Sequence, residues 1–246
     1  MESQSRKAIM GLLFVGVLMG ALDLAIIGPA LPAIQADFTL DNRSLSWLFN
    51  IYVLAQLIGT PLFAKASDKY GRRIVYMVCV AGFGLGSLLL VISANYETLL
   101  LGRLVQGLGA SGIFPVAAAV IGDTFPKEKQ GGALGLIGAV FGLAFLIGPV
   151  LGGILLRYSW QLLFMINLPI AAGLLIAAWK LLPASTSKLQ LPFDWAGAIL
   201  LTTLLFGFAV GVTNLDTADF AASASSFEVW PFLLIGVILL PFFWRT

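Results

Sequence analysis

Eight runs of mostly apolar residues follow one another along the chain, separated by short polar segments. The runs cover residues 8–30, 45–64, 74–94, 98–121, 132–156, 162–182, 195–214 and 229–244. The first seven are long enough to cross about 30 Å of hydrocarbon as α-helices, and the eighth is short. This pattern predicts an all-α membrane protein, with a bundle of six transmembrane helices followed by two additional transmembrane helices.

The composition agrees with this interpretation. Hydrophobic residues make up 59% of the 246 residues and charged residues only 11%, and the mean hydropathy is +0.99. These values are far from those of a soluble domain. The first run is too long for the apolar part of a signal peptide and lacks a cleavage site of small residues, so we interpret it as a retained span. The net charge of only +2 predicts no nucleic-acid partner.

Basic residues are distributed unequally between the two sides of the predicted bundle. One side carries Arg6, Lys7, Lys65, Lys69, Arg72, Arg73, Lys127, Lys129, Lys180, Lys188 and Arg245. The other side carries Arg43 and Arg157. Because Lys and Arg resist translocation, we expect a multi-pass protein of the cytoplasmic (plasma or inner) membrane, with both termini in the cytoplasm.

A polar, proline-bounded segment interrupts the apolar pattern and indicates a domain boundary. We expect a six-helix bundle at residues 1–183, a cytoplasmic linker at 184–194 and two further transmembrane helices at 195–246. Between these last two helices, residues 214–228 are polar and rich in alanine and serine, which predicts a mobile loop on the outer side.

Two residues of opposite charge, Asp23 and Arg103, lie inside predicted spans. Asp23 is about 22 Å along the first span from Ala8, at 1.5 Å per residue. Arg103 lies about five residues into the fourth span from the opposite face, so the two side chains have similar depths and can form an ion pair. An uncompensated charge in the bilayer costs roughly 2.5–3.5 kcal/mol, and such residues therefore usually face a cavity and a partner. The pair either loads and releases a proton or statically locks the first span to the fourth.

The most charged segment joins the second and third spans. It reads Ala-Lys-Ala-Ser-Asp-Lys-Tyr-Gly-Arg-Arg at residues 64–73 and resembles the cytoplasmic signature of the major facilitator superfamily, a group of secondary transporters. The resemblance implies a six-helix bundle of this superfamily and a cytoplasmic gate that contains Asp68, Gly71, Arg72 and Arg73. Asp68 is expected to accept hydrogen bonds from nearby backbone amides or from the two arginines. The alternative is a charged turn that only sets topology. The first residue of this segment is Ala64, at a position where the superfamily usually has glycine.

In the fourth span, Arg103, Gln106 and Gly107 are three and four residues apart and share one helix face. Arg-x-x-Gln-Gly resembles a second element of the superfamily, which implies that Arg103 faces the translocation cavity and supports proton coupling together with Asp23. Gln106 either binds substrate or satisfies a neighbouring helix. The candidate residues of the cavity are Gln106, Gln56 and Asn167.

The fifth span is rich in glycine. Gly138 and Gly142 are spaced for the close approach of another helix, and Gly-Pro-Val-Leu-Gly-Gly follows at residues 148–153. Pro149 removes a helix hydrogen bond and bends the helix. Gly-Pro-x-x-Gly-Gly at this position resembles an element of the superfamily's proton-coupled antiporters, which implies export rather than uptake. The hinge candidates are Gly148, Pro149, Gly152 and Gly153.

Further segments resemble the drug:proton antiporters of this superfamily. Residues 22–32 resemble an Asp-to-Ala-Leu-Pro element of the first span, although Ala25 and Gly28 replace the threonine and asparagine often found there. Residues 160–169 and 193–197 resemble the branch with fourteen spans. We therefore interpret the chain as the amino-terminal part of such a transporter, since alternating access needs a second bundle.

The resemblance implies a proton-coupled antiporter that exports small, lipophilic or drug-like molecules by alternating access. The proton gradient is the expected energy source, and we expect no cofactor, no metal and no enzymatic activity, since the sequence has no histidine and no P-loop. The expected partners are the substrate, protons, the lipid bilayer and either a missing carboxy-terminal bundle or a second chain. The alternatives are a half-transporter that is inactive alone and a half-length permease that forms homodimers and carries another small solute.

Overall fold

The computed structural model describes residues 3–184, 195–215 and 220–245. These residues form α-helices, and no β-strand occurs among them. In chain order the helices are α1 (Ser3–Phe38), α2 (Asn42–Tyr70), α3 (Arg72–Val91), α4 (Tyr96–Thr124), α5 (Lys127–Leu155), α6 (Gln161–Met165), α7 (Asn167–Leu181), α8 (Trp195–Thr213), α9 (Phe220–Ala224) and α10 (Trp230–Arg245).

Six helical segments are long and apolar enough to cross a membrane. Five are the single helices α1 to α5, and the sixth is the pair α6 and α7, which Ile166 separates and which together cover Gln161–Leu181. Shorter apolar stretches lie in α8 (Ile199–Val212) and in α10 (Trp230–Leu239). The prediction of an all-α bundle of six spans followed by two more apolar helices is confirmed. The domain boundaries stay a prediction, and the linker at 184–194 lies outside the described residues except for its first position.

Short turns set the ends of the helices. Asp41 precedes the first turn of α2, where its carboxylate accepts a hydrogen bond from the backbone amide of Ser44 at 2.8 Å. Asn95 caps α4 in the same way, at 2.9 Å from the amide of Thr98. Gly71 joins α2 directly to α3 with a φ of 92°, a conformation that residues with a Cβ rarely adopt. This one glycine therefore replaces a longer loop between two spans.

α4 lies between α2 and α3, while α1 packs against α5, and α7 packs against α3 and α1. In a lipid environment, helices associate through close packing of small residues rather than through a hydrophobic driving force. A Cβ at Gly109 on α4 would collide with the backbone of Phe83 on α3, so this contact requires glycine. The glycines of α4 thereby allow the neighbouring helices to approach it closely.

The apolar core of the bundle consists of two clusters. One lies toward the end of the bundle that carries residues 65–73, which we call the basic end, and it reaches Ala21 on α1 and Ala110 on α4. The other lies toward the opposite end and begins at Ile26 on α1 and Leu99 on α4. The residues between the two clusters form a middle layer, which holds most of the buried polar side chains.

α8 and α10 pack against each other, and α8 also packs against α2. At the end opposite the basic end, Arg43 pairs with Glu228 at 2.9 Å, and Asn214 donates to the carbonyl of Glu228 at 3.2 Å. The sequence predicts a mobile loop at 214–228, of which residues 216–219 lie outside the described residues. The loop prediction is wrong for the residues of α9, whose alanines favour a helix.

Candidate functional site

Five polar side chains from four helices meet in the middle layer of the bundle. They are Asp23 on α1, Ser87 on α3, Arg103 and Gln106 on α4, and Asn167 at the start of α7. Each of them is at most 2% exposed. We call this group the polar cluster. Because buried polar groups are stable only when they are hydrogen-bonded, the contacts within the cluster decide what it can do.

Both oxygens of the Asp23 carboxylate accept hydrogen bonds. Oδ2 accepts from Nη1 of Arg103 at 2.7 Å, and Oδ1 accepts from Nε2 of Gln106 at 2.8 Å. Nη1 of Arg103 also donates to Oε1 of Gln106 at 2.7 Å. The three side chains thus form a closed ring in which a positive and a negative charge compensate each other. Asp23 and Arg103 meet, as their similar depths in the sequence allow, while the role of the pair stays a prediction.

Ser87 and Asn167 extend this ring toward α3 and α7. Oγ of Ser87 accepts from Nε2 of Gln106 at 2.9 Å and donates to the carbonyl of Phe83 at 3.0 Å. Nδ2 of Asn167 lies 3.4 Å from the same hydroxyl oxygen. Gln106 therefore uses its amide within the protein, which favours the alternative that it satisfies neighbouring helices. Ser87 was not among the candidates predicted from the sequence, although a serine in the middle of an apolar span indicates a buried hydrogen bond.

Two residues of α2 also hold Arg103. Its Nε donates to the carbonyl of Leu48 at 3.1 Å, and its guanidinium carbon lies 4.1 Å from the ring centroid of Tyr52. This distance allows a cation–π interaction, which is strongest at buried sites. Nη2 of Arg103 and the hydroxyl of Tyr52 are buried and have no hydrogen-bond partner among the described residues. Tyr52 was not among the candidates predicted from the sequence, because an aromatic residue in an apolar span does not indicate which cation it contacts.

The structure does not bring Gln56 into the polar cluster. Gln56 lies one turn beyond Tyr52 on α2 and is half-buried. Its backbone carbonyl accepts a hydrogen bond from the hydroxyl of Thr60 at 2.7 Å, and its side chain makes no hydrogen bond to the cluster. Of the three candidate cavity residues, only Gln106 and Asn167 therefore lie at the buried ion pair.

At the basic end, Arg72 links three helices. Its guanidinium pairs with Asp68 on α2 at 2.5 Å and with Asp123 near the end of α4 at 3.0 Å. It also donates to the hydroxyl of Ser67 at 2.5 Å. Asp68 therefore has one of its expected arginine partners. Asp123 was not among the candidates predicted from the sequence, although an acidic residue at the end of an otherwise apolar span indicates a charged partner.

Arg73 has a different partner from the one expected. Its guanidinium carbon lies 4.7 Å from the ring centroid of Trp179 near the end of α7, and its Nη1 donates to the carbonyl of Trp179 at 3.4 Å. Among the described residues it forms no ion pair with Asp68, which corrects that part of the prediction. Arg73 thus joins the start of α3 to the end of α7. Gly71 supplies the turn that precedes the two arginines.

The glycine-rich part of α5 touches the helix that carries the buried carboxylate. α5 is helical through Pro149. A Cβ at Gly148 would collide with Ala25 on α1, and a Cβ at Gly152 would lie 3.4 Å from the Cβ of Pro29. These contacts begin two residues after the carboxylate of the polar cluster, so α5 packs against the part of α1 that follows it.

The other glycines of α5 pack differently. Gly138, Gly142 and Gly153 have open space where a Cβ would lie. No described helix packs closely against Gly138 or Gly142, so their role in helix packing stays a prediction. The hinge role of Gly148, Pro149, Gly152 and Gly153 stays a prediction.

Comparison with known proteins places the chain in a large family. Residues 13–244 match the family model described as Major Facilitator Superfamily. The chain is 38% identical to the uncharacterized MFS-type transporter YfiU of Bacillus subtilis (strain 168), over 96% of this chain and 46% of that protein. It is 34% identical to multidrug resistance protein 3 of the same organism, over 87% of this chain and 43% of that protein. The chain thus spans about half the length of the curated relatives it matches.

A solved structure shares the fold at lower sequence identity. The crystal structure of the human organic anion transporter MFSD10 (TETRAN) matches with a TM-score of 0.66 and 20% identity, over 85% of this chain and 57% of that chain. At this identity the likeness concerns the fold alone. The family match covers nearly the whole chain, and its members are transporters rather than enzymes. The chain therefore belongs to the major facilitator superfamily of integral, multi-pass membrane transporters.

Proposed function

We propose that this chain forms the amino-terminal bundle of a proton-coupled antiporter of the fourteen-span branch, which exports small, lipophilic or drug-like molecules. The observation that carries the proposal is the buried ion pair of Asp23 and Arg103 at 2.7 Å. It places a group that can bind a proton in the middle of the bundle, where charged residues usually serve transport. The name of multidrug resistance protein 3, to which the chain is similar, supports export of drug-like molecules.

The proton acts by loosening one contact of Arg103 and leaving the others. A hydrogen bond to a carboxylate is about twice as strong as one between neutral groups, so protonation of Asp23 weakens its bond with the guanidinium. Arg103 keeps the carbonyl of Leu48, the amide of Gln106 and the ring of Tyr52. Proton binding therefore weakens the attachment of α1 to α4, while α4 stays attached to α2.

A movement of the loosened α1 reaches α5 through the glycine contacts. Gly148 and Gly152 lie against α1 directly after the buried carboxylate. Because glycine has no side chain that can adapt, a movement of α1 also displaces α5. In alternating access, such displacements change the side of the membrane to which the cavity opens.

We propose that the basic end faces the cytoplasm, because Lys and Arg resist translocation. Arg72, with Asp68 and Asp123, then forms a cytoplasmic gate that joins α2, α3 and α4. The side chains of Asp68 and Asp123 are 50% and 55% exposed. Water therefore reaches both carboxylates, although Arg72 itself is only 17% exposed. Ion pairs that water reaches are weak enough to break and form again in each transport cycle.

A static lock between α1 and α4 is the alternative role of the buried pair. It is favoured by the fact that both oxygens of Asp23 already have hydrogen-bond partners. The two roles differ in what they affect. A static lock contributes to the stability of the protein, whereas a coupling site makes transport depend on the proton gradient.

Everted membrane vesicles that contain the natural gene product test the proposal. The probe is ethidium, a lipophilic cation, and an imposed pH gradient drives its transport. We expect Asp23→Asn to abolish this transport while the protein still inserts into the membrane. Glu97→Gln, which removes an exposed carboxylate at the start of α4, serves as the control and should transport normally. Undiminished transport by Asp23→Asn would refute proton coupling through this residue. Transport by the unmodified protein that does not depend on the pH gradient would refute the proposal of an antiporter.

A further inference from the structure

A groove between α1 and α7 lies apart from the polar cluster. It has a cavity volume of about 360 Å³, and only apolar residues line it. Its walls include Ala8, Gly11 and Val15 on α1 and Ile170, Gly173 and Ala177 on α7. Gly11 and Gly173 have open space where a Cβ would lie, so no side chain at these positions fills the groove. The groove therefore offers a smooth apolar surface to a flexible hydrocarbon chain.

Two lysines stand at one end of this groove. Lys7 lies four residues before Gly11, and Lys180 lies seven residues after Gly173, so each continues the helix face that lines the groove. Both lysines are exposed, and neither has an ion-pair partner within residues 3–184, 195–215 and 220–245. Because α1 begins and α7 ends here, both positive charges lie at the basic end.

We propose that the groove binds one anionic phospholipid, with an acyl chain between α1 and α7 and the headgroup phosphate between Lys7 and Lys180. Basic pockets between transmembrane helices on the cytoplasmic side bind anionic headgroups, and the cytoplasmic leaflet carries the anionic lipids. The basic end is the side that we propose to face the cytoplasm. The apolar groove and the lysines thus match the two parts of such a lipid.

A second copy of the chain fits the same groove less well. Copies in one membrane share one orientation, so a symmetric dimer through this groove brings Lys7 and Lys180 of both copies to the same end. These like charges repel each other. An anionic headgroup at the same place compensates the positive charge instead of adding to it.

Native mass spectrometry of the purified chain in detergent tests the proposal with two probes, dioleoyl phosphatidylglycerol and dioleoyl phosphatidylethanolamine. The probes have the same acyl chains and differ in headgroup charge. We expect the anionic lipid to bind roughly thirty-fold more tightly, which corresponds to about 2 kcal/mol from two lysines. Lys7→Gln/Lys180→Gln should lose this preference. Lys127→Gln/Lys129→Gln removes two exposed lysines at the same end, on α5, and should keep it.

A second pair of variants tests the groove itself. Gly173→Leu places a side chain in the open space of the groove and should weaken the binding of both lipids, whereas Gly138→Leu places one in open space on α5 and should not. Equal affinity for the two lipids, or a preference that survives Lys7→Gln/Lys180→Gln, would overturn the anionic site. Unchanged binding in Gly173→Leu would overturn the groove as the place of binding. Dimers that Gly173→Leu abolishes would identify a second copy as the occupant and overturn the lipid.

Discussion

Replacing Arg103 by methionine tests how the polar cluster is held together. Methionine is also long and unbranched but has neither a charge nor a hydrogen-bond donor. The substitution removes the hydrogen bonds to Asp23, Gln106 and Leu48 and the contact with the ring of Tyr52. It leaves a buried carboxylate that still accepts a hydrogen bond from the amide of Gln106.

The expected loss of stability follows from the burial of the pair. Asp23 is 0% exposed and Arg103 is 1% exposed, so water does not replace the lost partner. Removing one partner of a buried ion pair costs about 3–5 kcal/mol, because an uncompensated charge remains. Asp23→Asn/Arg103→Met removes both charges and should be more stable than Arg103→Met alone. A double-mutant cycle should therefore give a coupling energy of about 2–3 kcal/mol.

The assay is the unfolding of the purified protein in mixed micelles of dodecyl maltoside and SDS, followed by tryptophan fluorescence. Arg157→Met is the control, because Arg157 is exposed at the end opposite the basic end, and its free energy of unfolding should change by less than about 0.5 kcal/mol. If Arg103→Met lowers the free energy of unfolding no more than this control does, the guanidinium does not stabilise the polar cluster. If the decreases in the free energy of unfolding of the two single variants add up in the double variant, the two charges do not interact. Either result contradicts the reasoning.

Three further predictions concern other contacts. Tyr52→Leu should lower the free energy of unfolding by about 2 kcal/mol, because the buried cation–π interaction is lost. Tyr52→Phe should be nearly neutral, since it keeps the ring, and equal losses in both variants would contradict the role of the ring. Gly148→Ala should lower the free energy of unfolding, because its Cβ would collide with α1. Gly142→Ala has open space for its Cβ and should raise the free energy of unfolding by up to about 1 kcal/mol in the same assay. The reverse order of the two variants would refute this packing. Hydrogen bonds from the side chain and backbone of Ser44 hold the pKa of Asp41 below its usual value. Their stabilising effect is complete above about pH 4 and is lost as the pH falls through the lower pKa of the folded state. The thermal unfolding midpoint should therefore fall more steeply on acidification in the unmodified protein than in Asp41→Asn, because asparagine caps α2 without titrating. Parallel curves for the two proteins would exclude a contribution of the Asp41 carboxylate to this pH dependence.

The meeting of Asp23 and Arg103 was accessible from the sequence. An uncompensated charge is so costly in hydrocarbon that two opposite charges at one depth are expected to pair. The role of Gln106 was not accessible, because a residue on the same helix face as Arg103 can point either to a substrate or to another helix. The contact with Tyr52 was missed for a related reason, since an aromatic residue in an apolar span gives no signal of the cation that it meets.

The partners of the two arginines after Gly71 were also not accessible from the sequence. The charge pattern predicts that Asp68 accepts hydrogen bonds from backbone amides or from the two arginines, but it does not distinguish Arg72 from Arg73. In the folded bundle, Arg72 reaches Asp123 on α4 as well as Asp68, while Arg73 lies over the ring of a tryptophan on α7. The choice depends on where the ends of α4 and α7 lie, and no local pattern contains that information.

The sequence by itself determined the six spans, their approximate limits and the separation of basic residues to one end. It did so because insertion into hydrocarbon depends on the composition of one segment at a time. The tertiary structure decided which helix faces meet. A span that is apolar on all sides has no stripe that points to a core, so its rotation is set by small residues and buried hydrogen bonds against its neighbours. For that reason Gly148 and Gly152 pack against α1 while Gly138 and Gly142 on the same helix have open space, and only the folded bundle distinguishes the two pairs.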